Sequence, residues 1–273
     1  MLPTINIFGM NIPSYGISAI FGIALAVIYI WLRVRRRKDI DRTQLINIPA
    51  VAFIGAFIGA HILYGITHLD KLWWCIMHLD KVFSSWENFW FYTTDIWGGM
   101  VFYGGLIGGI ILGTIYCKKQ KLDTMFYADI YAPAIPLFHA FGRVGCFLGG
   151  CCYGIESSWG VVYNNPNIPE ANGVTRLPIQ LVESAGDLII FAILLFLSYK
   201  NLRKGTLFLL YLLMYGALRM TTEFFRGDEI RGFLFGISTS QWISIILIIC
   251  SLVILIYSCL LYTSPSPRDK RQS

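Results

Sequence analysis

Tyr15-Gly-Ile-Ser-Ala-Ile-Phe-Gly-Ile-Ala-Leu-Ala-Val-Ile-Tyr-Ile-Trp-Leu-Arg33-Val-Arg-Arg-Arg-Lys38 decides what kind of protein this is. Its first part is uncharged and apolar over the roughly 17–25 residues that a helix needs to cross a bilayer. Its second part, Arg33, Arg35, Arg36, Arg37 and Lys38, followed by Arg42, is a basic stop-transfer cluster. No basic segment precedes the apolar run, so it reads as a retained span and not as a cleaved signal peptide.

The rest of the chain agrees. Of 273 residues, 56% are hydrophobic and only 14% charged, and the mean hydropathy is +0.60. Soluble domains carry about 25% charged residues, so the chain reads as an integral membrane protein. The fold class expected is all-α, a polytopic bundle of about seven transmembrane helices near 15–33, 49–66, 98–116, 128–147, 180–199, 206–225 and 240–259. The net charge of +6 informs through its distribution. Twelve basic residues fall in the loops after the first, third and fifth spans, against five on the other side: Lys71, Lys81, Arg176, Arg226 and Arg231. The positive-inside rule then puts the N-terminus out and the C-terminus in. Beside a span, the 33–42 cluster reads as a topology signal and not as a nucleic-acid patch.

The outer loop 67–97 carries Trp73, Trp74, Trp86, Trp90, Phe91, Tyr92 and Trp97, rings that favour the headgroup level. It reads as an interfacial aromatic belt, with a lid over a lipid-access gap as the alternative. A second outer loop, 148–178, holds a polar Asn164-Asn165-Pro166 turn. Glycines at 55, 59, 104, 105, 108 and 109 let spans pack closely; Gly98-Gly99 and Gly104-Gly105, flanking Tyr103, are also candidates for backbone open to a ligand. The end is unlike the rest. Cys259-Leu-Leu-Tyr-Thr-Ser-Pro-Ser-Pro-Arg-Asp269 turns abruptly from apolar to Pro/Ser-rich and charged. It resembles a translated sequencing-library adapter, so 1–258 is expected to be a single transmembrane domain and 259–273 not native. That leaves six native cysteines and a natural C-terminus missing; a native disordered tail is the alternative.

Chemistry concentrates at His139-Ala-Phe-Gly-Arg-Val-Gly-Cys-Phe-Leu-Gly-Gly-Cys-Cys-Tyr-Gly154. On a helix of 3.6 residues per turn, His139, Arg143 and Cys146 fall within about 60° of one another. An arginine in a bilayer costs roughly 2.5–3.5 kcal/mol at the centre, so Arg143 either snorkels to headgroups or faces a cavity. Tyr215, Arg219, Glu223 and Arg226 fall within about 80° on the sixth span. Arg219 and Glu223 are spaced to pair at i,i+4, leaving one positive charge in excess. With Arg143 the cavity would hold three guanidinium groups, the group suited to bidentate phosphate recognition. An anionic phospholipid headgroup fits such a site; a structural salt-bridge network is the alternative. Glu183 and Asp187, with Pro178 and Gln180 at the start of the fifth span, either counter the arginines or cap the helix. Tyr15 reads as an interfacial anchor, and His61 as a neutral imidazole bonded to a neighbouring helix. Cys146, Cys151 and Cys152 have three readings: inert core thiols, a disulfide pair on the oxidising side, or, with His139, a soft-metal site. The C-x4-C-C spacing matches no strong zinc pattern, so neither metal nor cofactor is expected.

These residues carry a resemblance. Gly142–Gly154 resembles the signature of the prolipoprotein diacylglyceryl transferase family, and Tyr215–Arg226 is similar to that family's second arginine motif. Ser14–Ile17, Gly98–Gly108, Pro178–Glu183 and Gln241–Ser244 match more weakly, in the family's order. The resemblance implies a multi-pass enzyme of the bacterial cytoplasmic (inner) membrane. Its partners would be phosphatidylglycerol, preprolipoprotein signal peptides and membrane lipid, with no nucleic acid. It would attach diacylglyceryl as a thioether to the lipobox cysteine and release glycerol phosphate. By matching positions Arg143 and Arg219 would hold the phosphate, and Tyr15, Tyr215, Glu223 and Arg226 would complete the pocket, with Gly154 in the signature turn.

The sequence departs from that pattern at several positions. Tyr103 stands where the family usually has histidine, leaving Tyr103, His139 or water to take the proton, and His61 replaces a second-span arginine. Cys146, Gly149 and Cys151 occupy the usual Asn, Asn and Glu positions, with Cys152 extra. Two other functions stay open at this point: a paralogue turned to membrane thiol redox chemistry, and a non-catalytic phospholipid-binding protein.

Overall fold

The computed structural model describes residues 2–7, 9–165, 168–228 and 233–263. Of the positions singled out above, Pro166, Arg231 and 264–273 lie outside the described residues. In chain order the elements are β1 (Thr4–Ile7), β2 (Met10–Pro13), α1 (Ser14–Val34), α2 (Gln44–Thr67), α3 (Leu69–Met77), α4 (Leu79–Val82), α5 (Trp86–Trp97), α6 (Phe102–Lys119), α7 (Thr124–Tyr131), α8 (Ala134–Gly149), β3 (Glu156–Val162), β4 (Thr175–Arg176), α9 (Ile179–Leu197), α10 (Thr206–Glu223), β5 (Phe233–Leu234), β6 (Ile237–Ser238) and α11 (Thr239–Thr263). The protein is mostly helical. Four helices are long and apolar enough to cross a membrane: Ser14–Val34, Gln44–Ile66, Ile179–Leu197 and Thr239–Ser258.

Two features differ from the sequence expectation. The span expected at 128–147 is two helices, α7 and α8, parted at Ala132-Pro133. Proline has no N–H to give and disfavours helical geometry in the residue before it, so α8 starts afresh and runs only sixteen residues. The all-α expectation also omitted three short antiparallel strand pairs, β1–β2, β3–β4 and β5–β6.

The chain forms two compact units, 37–124 and the remainder. In the first, α2 packs on α6 through facing glycines. A Cβ on Gly59 would lie 2.2 Å from the Gly104 carbonyl oxygen, and one on Gly55 2.4 Å from that of Gly108. Gly99 fits against the Tyr64 ring and Gly98 against the Thr94 carbonyl. These glycines serve packing, which corrects the expectation of open backbone beside Tyr103. His61 Nδ1 lies 2.8 Å from the carbonyl of Trp97 and 2.9 Å from that of Gly99, a structural contact to the end of α5 and the residues after it.

The second unit is a row of helices, α1 on α8, α8 on α9, α9 on α10 and α10 on α11. Small residues permit three of these approaches: Gly22 against Phe138 and Phe141, Gly186 against Leu218, Gly216 against Ile248 and Ser244. Its burial pattern is that of a protein solvated by lipid. Gln180, Glu183, Asp187, Arg219, Glu223, Ser244 and Ser251 are buried, while Ile20, Phe21, Val27, Ile249 and Val253 are exposed. Polar groups sit inside because hydrocarbon cannot satisfy them. One end of this unit is basic: Arg33 donates to the Ser198 carbonyl, Arg203 to that of Ser258 (2.7 Å), and Asp129 caps α10 at Gly205 N and Phe208 N.

Candidate functional site

At the other end of the same unit, the last turns of α8 and α10 meet the first turns of α9, and the polar side chains anticipated from helix periodicity converge. Glu183 is their hub. Arg143 Nε lies 2.7 Å from Glu183 Oε2, while Arg219 Nη1 and Thr222 Oγ1 both donate to Oε1. Arg219 also reaches Glu223 Oε2 at 2.5 Å, the i,i+4 pair expected, and Ser240 Oγ at 3.2 Å. Arg226 makes a fork with Asp228, Nε to Oδ1 at 2.9 Å and Nη2 to Oδ2 at 2.5 Å.

This arrangement corrects the charge balance read from sequence. Each of the three arginines has an acidic partner: Glu183 for both Arg143 and Arg219, Glu223 also for Arg219, and Asp228 for Arg226. Glu183 counters arginines and does not cap α9; Asp187, one turn on, holds His139 Nδ1 at 2.9 Å. The His139 ring meets Tyr215 edge to face at 5.3 Å, and Tyr215 stacks on Tyr211. Tyr15 opens α1 half-exposed, with its Cα 3.1 Å from where a Cβ on Gly145 would be.

The signature leaves α8 in a turn built on left-handed backbone at Gly150 (φ +74°) and Cys152 (φ +55°). Glycine adopts that region freely, whereas a residue with a Cβ is held there by its surroundings. Those surroundings are specific. Cys151 N donates to the Cys146 carbonyl (3.1 Å), Gln180 Nε2 donates to the Cys151 carbonyl (2.7 Å), and Asn165 Nδ2 to that of Gly149 (2.5 Å). Beyond the turn, Gly154 bridges to Arg226, with Ile155 N bonded to the Phe225 carbonyl and Gly227 N to that of Tyr153. The signature is thereby joined to the second arginine motif. Gly154 is needed for closeness, since its Cβ would lie 2.3 Å from the Leu177 carbonyl oxygen.

The thiol sulfurs of Cys146, Cys151 and Cys152 all lie within 4.8 Å of one another, and each residue is half-buried and unpaired by disulfide. Hydrogen bonds from Cys146 and Cys151, with Arg226 and Arg143 nearby, hold the Cys152 thiol below its ordinary range. Bonding to Cys146 and Cys152 pushes Cys151 up.

Among the residues proposed from sequence, Arg143, Arg219, Arg226, Glu223, His139, Tyr215, Gly154 and Tyr15 belong to this unit. Tyr103 lies on α6 in the other unit, and its side chain lies outside the described residues. Sequence reasoning missed Asp228 and Thr222 as partners, though an acid two residues past Arg226 was a legible signal.

Comparison with known proteins agrees in kind. Residues 3–257 match the family model for prolipoprotein diacylglyceryl transferase. A Clostridium tetani protein named phosphatidylglycerol–prolipoprotein diacylglyceryl transferase is 34% identical over 251 residues, 91% of this chain and 94% of its own length. A Clostridium perfringens protein named as the second such transferase is 34% identical over 247 residues, covering 89% and 90%. One from Streptococcus pneumoniae is 31% identical over 255 residues, covering 91% and 90%.

Proposed function

The chain belongs to the prolipoprotein diacylglyceryl transferase family, and we propose that it moves diacylglyceryl from phosphatidylglycerol to the lipobox cysteine of a preprolipoprotein. The observation that carries this reading is the convergence of Arg143 and Arg219, from two helices, on Glu183. A guanidinium has five N–H donors in a fixed fork. The carboxylate engages one edge of each arginine and holds it in register, so that other donors can meet a phosphate. Charge develops on that phosphate as the glyceryl C–O bond breaks, and aligned donors stabilise it most at that moment.

Arg226, held by Asp228 and by the bridge to Gly154, adds a third guanidinium to the site. Tyr15 and Tyr215 complete the substrate pocket, and Glu223 orients Arg219. His139 is the proton acceptor of this reading, its Nδ1 lying 2.9 Å from Asp187 Oδ2 and its ring against Tyr215. On this reading 1–258 is the transferase domain, and 259–273 adds nothing to it.

The site opens to the outer face of the bacterial cytoplasmic membrane. Seven crossings with the N-terminus out and the C-terminus in account for the separation of the basic end, with Arg33 and Arg203, from the end that carries the site. The test is transfer of labelled diacylglyceryl from phosphatidylglycerol vesicles to a lipobox peptide. The protein is expected to yield the thioether and glycerol phosphate in equal amounts. A chain that binds the vesicles and peptide but forms no thioether would be a binding protein.

A further inference from the structure

The three cysteines of the signature are not needed to hold a phosphate, yet the fold gathers them. Their sulfurs lie within 4.8 Å of one another although Cys146 ends a helix and the other two lie in the turn after it. A tetrahedral zinc-class ion with metal–sulfur bonds of about 2.3 Å separates its sulfurs by about 3.8 Å. Small side-chain rotations therefore suffice to close the set around a cation. The backbone is already fixed for it: Cys151 is tied at both N–H and carbonyl, and Cys152 is held at φ +55°, where a glycine would fit without strain. A disulfide would use two sulfurs and leave the third without a role. An ion uses all three.

We propose that Cys146, Cys151 and Cys152 form a three-thiolate site for a zinc-class divalent cation, whose fourth position takes the sulfur of the acceptor cysteine. This rests on the transferase reading above. Three protein ligands with one open position is the arrangement of catalytic and not of structural zinc sites. A thiol that coordinates such an ion loses its proton outright, so the acceptor is delivered as a thiolate. The ion with three thiolates carries one net negative charge. Displacement at the glyceryl carbon needs the incoming sulfur and the departing phosphate oxygen in line on opposite sides of that carbon.

The step balances. The acceptor S–H proton passes to His139, the proton acceptor of the transferase reading, and a sulfur lone pair forms the C–S bond to the glyceryl carbon. The C–O bond breaks with its electrons on the phosphate oxygen, and glycerol phosphate leaves. The product thioether is a neutral, weak ligand and departs, which reopens the fourth position.

The test uses the reduced full-length protein in detergent micelles with Co²⁺ or Cd²⁺ as probe. One ion per chain is expected, with a thiolate-to-metal charge-transfer band that is lost in Cys151→Ser and in Cys152→Ser. Adding a lipobox peptide should intensify the band, and a peptide with serine in place of the lipobox cysteine should not. Chelation should abolish diacylglyceryl transfer, and Zn²⁺ should restore it. Chelation of the unsubstituted chain is the second measurement, independent of whether a serine variant folds. The proposal is overturned if the reduced protein binds no ion, if the band ignores the acceptor thiol, or if transfer survives chelation. It is also overturned if two of the thiols are found as a disulfide in protein that is active without metal. If the ion and the thiol peptide bind as described but no diacylglyceryl moves, the site stands and the transferase reading falls.

Discussion

Glu183 Oε2 lies 2.7 Å from Arg143 Nε, and the same carboxylate accepts from Arg219 through Oε1. One acid on α9 thus fixes two arginines on the helices to either side. The side chains are almost wholly buried, Glu183 with 4% of its surface exposed and Arg143 with 12%. Breaking a buried ion pair by removing one partner leaves a desolvated charge, at a cost of about 3–5 kcal/mol. Glu183→Ala strands the Arg143 guanidinium and leaves Arg219 to Glu223. It is expected to lower stability by that amount in thermal unfolding in detergent and to abolish transfer. A variant as stable as the unsubstituted protein would mean that the arginines find other partners and that Glu183 does not organise the site.

Gly154→Ala tests the join between the two motifs. Its Cβ would meet the Leu177 carbonyl oxygen at 2.3 Å, and backbone cannot yield as a flexible side chain does. Overpacking of this kind costs about 1–3 kcal/mol. The turn must shift, and with it the bridge to Arg226. Reduced affinity for phosphatidylglycerol, read as a raised KM, is expected along with the lost stability. Unchanged KM would separate Arg226 from substrate binding.

Asp129→Ala provides the contrast. Asp129 accepts from Gly205 N at 2.7 Å and Phe208 N at 2.9 Å, capping α10 at the end remote from the site. Loss of an N-terminal cap costs about 0.5–2 kcal/mol. Thermal stability should fall while kcat and KM measured below the unfolding range stay the same. A large kcat defect would show that α10 transmits its N-terminal position to Arg219.

The contrast also shows what sequence could reveal. Arg143 and Arg219 were legible because helix periodicity alone puts them on polar stripes that lipid would not tolerate. The i,i+4 pairing of Arg219 with Glu223 follows from the same arithmetic. Partner choice between helices does not: whether Glu183 would cap α9 or bridge two arginines depends on which helices flank it. The break before α8 was announced by Pro133 but hidden by the apolar run through it. The facing glycines of α2 and α6 were read correctly as packing residues, whereas Gly98 and Gly99 looked free only because Thr94 and Tyr64 are not periodic neighbours. The convergence of the cysteines required a left-handed residue at 152, for which a cysteine gives no sequence signal.

Arg143→Lys separates charge from geometry. Lysine can still neutralise Glu183, so stability should change far less than in Glu183→Ala. It offers a single point of donation and no fork, so the carboxylate and the departing phosphate compete for one ammonium group. Loss of an aligned donor to developing charge is worth about 2.7–4 kcal/mol, or 10²–10³ in kcat. Arg143→Lys is therefore expected to fold, to bind phosphatidylglycerol vesicles, and to transfer diacylglyceryl at least about 10²-fold more slowly. Arg143→Ala should reduce transfer to background, because both the charge and the fork are gone. The measurements are single-turnover transfer to a lipobox peptide and vesicle binding on the same preparations. If Arg143→Lys keeps full kcat, Arg143 acts as a plain counter-charge to Glu183, and Arg219 and Arg226 alone would have to stabilise the leaving phosphate.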